Sequence, residues 1–312
     1  MILTRISLRQ WALFLKRNGG LIKLSSMIFI GLGFTFVGYR LIRSWPELSD
    51  YRFRFHPGYF LLSLLLYSVG LMAAVLCWGL ILRRLGEEVS FRRNIKLYCY
   101  SNLAKNVPGK VWYALGRVYL YEREGVAKTV TAMAIALELG LFVLAGSLLA
   151  GLMLPFSSVD LTGRDYAFIA LLLCAGAILM HPPIFNRFAN FIVKRQKEDV
   201  DPIAVGFGDI VIWLLLNSAV LVIAGVALFC VMNAFYPTAA ENLLTLIGAW
   251  ALSAAAGNLI FWMPSGLGVN EGMLALVISS FAPFPIAVAA AIIWRAWGFF
   301  CEACWVLIAT RL

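Results

Sequence analysis

YCYSNLAKNVPGKVWYALGRVYLYEREG occupies residues 98–125 and is neither a clean membrane span nor a clean loop. It mixes aromatic and apolar side chains with Lys105, Lys110 and Arg117, and it breaks at Pro108-Gly109. A second stretch of this kind, NLIFWMPSGLGVNE, covers residues 258–271, with Pro264, Ser265, Gly266 and Gly268 close together. Broken backbone at membrane depth is tolerated only where protein buries it or it lines a wet cavity. The two breaks share a spacing: Asn102, five residues, Pro108-Gly109; then Asn258, five residues, Pro264-Ser265. One lies in each half of the chain, the pattern of an inverted repeat with a site between the halves.

The surroundings of the breaks are membrane-like. Of 312 residues, 62% are hydrophobic and 13% charged, against roughly 25% charged in an average soluble domain. Too few polar side chains remain to cover a water-exposed surface. This excludes a soluble enzyme, a nucleic-acid binder and a disordered chain. Uncharged or nearly uncharged runs at 24–39, 57–82, 129–155, 166–180, 210–240, 242–263 and 286–309 mark spans. Residues 272–282 are too short to cross alone. The expected fold is an all-α polytopic transmembrane bundle of about seven or eight spans with two broken or re-entrant elements. Residues 21–312 form a single transmembrane domain, with repeat halves near 57–155 and 210–310.

Residues 1–20 lack the continuous apolar core of a signal peptide. Leu8, Trp11, Phe14 and Leu15 fall on one side of a helical wheel, with Arg5, Arg9 and Lys16 opposite, which suits a helix lying in the interface. The net charge of +10 is unevenly distributed. Loops at 1–23, 83–96 and 182–209 hold fourteen Lys/Arg, and those at 43–56, 156–165 and 236–241 hold four. The positive-inside rule therefore places the N-terminus in the cytoplasm, provided residues 97–128 dip in and return. The six cysteines lie mostly in apolar runs and read as packing residues.

Three ionisable residues interrupt apolar runs: Glu138, Arg295 and Glu302. Each costs roughly 2.5–3.5 kcal/mol at the bilayer centre, so each must face the interior, paired or protonated. Glu138 can meet either Arg117 or Arg295. Glu271 opens the helical piece after the second break. Lys105, Lys110 and Arg117 suit an anionic head group, and equally suit interfacial anchoring. Glu138, Lys110, Glu271 and Arg295 are expected around one polar cavity.

Asn102, Pro108, Gly109, Gly116, Arg117, Glu138, the run Pro264-Ser265-Gly266-Leu267-Gly268-Val269-Asn270-Glu271, and Arg295 resemble the lysylphosphatidylglycerol synthase transmembrane-region, or flippase-like, family across roughly residues 20–310. Where that family often has Glu-Arg, this chain has Glu138-Leu139. The resemblance implies the lipid-handling half of such proteins, in a bacterial inner membrane.

The expected function is translocation of an anionic phospholipid or a polyprenyl-phosphate-linked lipid. The alternative is a non-transporting lipid-binding partner of a membrane glycosyltransferase or acyltransferase. No Gly-x-x-x-x-Gly-Lys-[Ser/Thr] run occurs, so transport would be passive or ion-coupled. His56 and His181 sit at span ends and no nucleophile–base pair is visible. Neither enzymatic activity nor a cofactor or metal is expected.

Overall fold

The computed structural model describes residues 55–103, 110–157, 159–196, 202–259 and 268–311. The expected interfacial helix at 1–20 and the span at 24–39 lie outside them. Among the described residues, ten α-helices run in the order α1 Pro57–Arg84, α2 Phe91–Leu103, α3 Lys110–Glu122, α4 Lys128–Met153, α5 Gly163–Leu179, α6 Pro182–Gln196, α7 Phe207–Phe235, α8 Leu243–Leu259, α9 Val269–Ile278 and α10 Phe284–Thr310. Among the described residues, five helical stretches are long and apolar enough to cross a membrane, or six if α5 and α6, bent by 57°, are one broken span. The protein is a multi-pass, all-α membrane protein.

Local chemistry sets the helix ends. Pro57 opens α1 and Pro285 lies in the first turn of α10, where a missing N–H costs nothing. Asp165 accepts the backbone N–H of Thr162 ahead of α5, and Asp209 that of Gly206 ahead of α7, both at 2.8 Å. The stretch 182–209, expected to be a cytoplasmic loop, contains α6. Its Phe185, Ala189 and Val193 are buried one helical turn apart, a repeat too short to stand out in sequence.

Each half consists of a span, a hairpin of two helices, and a span: α1, α2–α3, α4, and then α7, α8–α9, α10, with α8 itself in one of the five stretches long enough to cross. The packing repeats as well. The first helix of each hairpin packs on the last span of the other half, and the second helix on the last span of its own half. The two halves run in opposite senses. The N–H of His56, ahead of α1, reaches the carbonyl of Ala234 late in α7 at 2.8 Å. At the far end, Arg84 of α1 pairs with Asp209 of α7 at 2.8 Å. Thus α2–α3 enters from the end where α1 finishes, and α8–α9 from the opposite end. Helices α2 and α3 lie antiparallel, with Arg93 paired to Glu124 at 3.0 Å, Tyr121 bonded to Asn94 at 2.5 Å and Arg117 to Ser101 at 2.9 Å.

Helix against helix in a membrane gains little from hydrophobicity, so close contact between small residues carries the packing. A Cβ on Gly146 of α4 would lie 2.6 Å from the carbonyl oxygen of Ala251, and one on Gly225 of α7 would lie 2.6 Å from Cα of Ile247. Helix α8 is thereby wedged between the two spans.

Candidate functional site

The C-terminal ends of α2 and α8 and the first turns of α3 and α9 line a cavity of about 310 Å³. Seven expected site residues line it: Asn102, Glu138, Asn258, Asn270, Glu271, Arg295 and Glu302. Gly116, Arg117 and Gly268 do not. Lys105, Pro108, Gly109, Pro264, Ser265, Gly266 and the side chain of Lys110 lie outside the described residues.

Two ion pairs flank the cavity and differ in kind. On the first-half side, Arg117 Nη1 donates to Glu138 Oε2 at 2.5 Å, and the Arg117 side chain is wholly buried. Its Nε donates to Ser101 Oγ at 2.9 Å. The guanidinium carbon lies 4.3 Å from the ring centres of Trp78 and Tyr98 and 4.6 Å from that of Tyr113. Cation–π attraction contributes ~0.5–2 kcal/mol per ring, most when dry. Tyr98 and Tyr113 also donate to Glu138, at 2.9 and 2.8 Å. The carboxylate therefore accepts three hydrogen bonds, and Arg117 is enclosed behind the rings that line the cavity. Of the two arginines Glu138 could have met, the fold-back of α3 along α2 selects Arg117. That supplies from a neighbouring helix the partner that Leu139 cannot be.

On the second-half side, Arg295 of α10 pairs with Glu271 of α9 through Nη1 and Oε1. Here the arginine side chain keeps 30% of its exposure. Among the described residues it donates to nothing else, so Nε and Nη2 remain available. The other oxygen of Glu271 accepts the N–H of Gly268 at 2.7 Å. Gly268 has φ +86°, a left-handed conformation that glycine adopts without strain. Glu271 thus caps the positive N-terminal end of α9 and ties it to Arg295.

Hydrogen-bonding groups fill the space between. Tyr67 and Asn102 both donate to Glu302 Oε1, at 3.0 and 2.9 Å. The indole N–H of Trp250 is buried in the cavity wall with no acceptor among the described residues. The indole N–H of Trp78, also in the lining, has no acceptor among the described residues either, and buried donors are nearly always satisfied. Trp250 lies edge-on to Trp294, with ring centres 5.3 Å apart. Gly257 leaves room for the Asn270 side chain, since a Cβ there would fall 1.7 Å from Oδ1. Tyr67, Tyr98, Tyr113, Asn217, Trp250 and Trp294 also belong to the site. Sequence reasoning missed them because an aromatic or lone amide in an apolar helix reads as packing. No group of three or more potential metal ligands occurs among the described residues.

Residues 22–304 match the model of the family described as the lysylphosphatidylglycerol synthase TM region. No curated protein matches the chain. The match covers most of the sequence, and the chain belongs to that family.

Proposed function

With family membership as the premise, we propose that the chain is a lipid translocase of the bacterial inner membrane with its N-terminus in the cytoplasm. It holds an anionic head group, of a phospholipid or a polyprenyl-phosphate-linked lipid, in the central cavity. The reading rests on Arg295, a guanidinium with unused donors facing a largely apolar cavity. A guanidinium binds phosphate through two parallel N–H bonds, which an ammonium cannot do. The Trp250 N–H supplies a further donor. A phosphate arriving at Arg295 displaces Glu271, which keeps its bond to Gly268, and the carboxylate returns when the lipid leaves. Glu302 lies two turns along α10, about 10 Å away. There Tyr67, Asn102 and Glu302 suit the hydroxyls of a glycerol or sugar. The chain performs no covalent chemistry and needs no cofactor.

The test is reconstitution of the purified chain alone in liposomes carrying a fluorescent anionic lipid. Wild type should move the lipid between leaflets. Arg295→Ala should reduce the rate at least tenfold, the scale of one lost charge-assisted hydrogen bond of about 1.5–3 kcal/mol, and Arg295→Lys should recover little. Arg295-dependent binding without movement would select the non-transporting partner. Unchanged movement in Arg295→Ala would refute the site.

A further inference from the structure

A second cavity, of about 520 Å³, opens on the outer face of the α2–α3 hairpin and shares no lining residue with the central one. Arg92, Arg93 and Lys96 of α2 and Arg123 after α3 line it. Arg92, Lys96 and Tyr100 follow one another at i, i+4 and i+8 and so share one face of α2. The one acid in the lining, Glu124, is engaged by Arg93 at 3.0 Å. That pair ties the end of the hairpin together and leaves Arg92, Lys96 and Arg123 with no carboxylate among the described residues.

Nearby cations at the same end of the bundle are compensated. Arg83 pairs with Glu88 at 3.1 Å, Arg84 with Asp209 at 2.8 Å, and Lys128 with Glu122 at 2.9 Å. Arg92, Lys96 and Arg123 instead converge on the groove with no carboxylate partner among the described residues. Like charges at i, i+4 repel, and the N-terminal end of α2 adds positive potential. Leu97 and Leu120 give the groove an apolar component, and Ser90 and Tyr100 bring hydroxyls. The volume lies within the roughly 300–1,000 Å³ of small-ligand sites.

We propose that this groove is a second binding site, for a phosphate ester seated between Arg92, Lys96 and Arg123 with its carbon stem on Leu97 and Leu120. It stands apart from the central cavity and does not depend on Arg295.

The experiment compares the full chain with Arg92→Gln/Lys96→Gln/Arg123→Gln, and with a charge-matched control on α6, Arg187→Gln/Lys194→Gln/Arg195→Gln. Each is placed in phosphatidylcholine nanodiscs with or without phosphatidylglycerol, and separately with soluble pyrophosphate. Retention of the probe is read by native mass spectrometry, and hydrogen exchange is followed in α2 and α3. The groove variant should lose affinity by about tenfold or more, with the control near wild type. Loss for phosphatidylglycerol identifies a lipid head group, and loss for pyrophosphate alone identifies a soluble phosphate. Equal loss in both triple variants, or loss in neither, overturns the site. If the groove triple does not fold, the charge reversal Lys96→Glu is compared with Lys194→Glu on the same criteria. Arg295→Ala should leave this binding intact, which separates the groove from the central site.

Discussion

Replacing Arg117 with methionine should destabilise the protein far more than replacing Arg117 and Glu138 together. In the single variant, a carboxylate that now accepts from Arg117, Tyr98 and Tyr113 keeps its charge and loses its only described cation. Breaking a buried pair in this way costs ~3–5 kcal/mol. The thioether restores part of the contact with Trp78, Tyr98 and Tyr113 through sulfur–aromatic attraction of ~0.3–1.5 kcal/mol. In Arg117→Met/Glu138→Gln no charge is stranded, and the amide oxygen can still accept a tyrosine hydroxyl. The double variant should therefore lose only about 1–2 kcal/mol, roughly 2–3 kcal/mol less than the single one, in a cycle closed by Glu138→Gln. Unfolding free energy in mixed micelles measures each corner of the cycle. Lipid movement in liposomes measures function in parallel, and the double variant should retain most of it, because Arg117 is sealed from the cavity. A double variant no more stable than the single one would refute the buried-pair argument. A single variant of normal stability that no longer binds lipid would make Arg117 a head-group ligand.

Gly257→Ala should force α8 from α9 and weaken the 3.0 Å bond from Ser253 Oγ to the Asn270 carbonyl. The expected cost is about 1–3 kcal/mol, read as a lower melting temperature. Gly272→Ala, where a Cβ meets nothing within 4 Å, should be silent. Asn190 donates to and accepts from Ile203, both at 2.8 Å, so Asn190→Ala should cost about 1–3 kcal/mol. It should also raise protease cutting between α6 and α7. Asn186, which clasps Val205 in the same way at 2.9 and 3.0 Å, should add to that effect. For orientation, Asp160→Cys should react with an impermeant thiol reagent from outside the cell and Gln196→Cys should not. The opposite pattern would invert the topology.

Hydropathy and backbone-breaking residues act locally, so the sequence alone determined that this chain is a helical membrane bundle with a broken element in each half. The same locality flagged Glu138, Arg295 and Glu302, because a charge in an apolar run is costly wherever the run folds, and the second break flagged Glu271. Pairing is another matter. Glu138 had two candidate arginines, and the antiparallel return of α3 along α2 decided for Arg117, leaving Arg295 to Glu271 across the α9–α10 contact. Burial depends on every neighbour at once. For that reason only the tertiary structure decided that Arg117 is enclosed by three rings while Arg295 keeps free donors in the cavity. The aromatic residues of the site, Trp250 among them, emerge only there as well, since a side chain's role as packing or as hydrogen-bond donor is set by what the fold places opposite it.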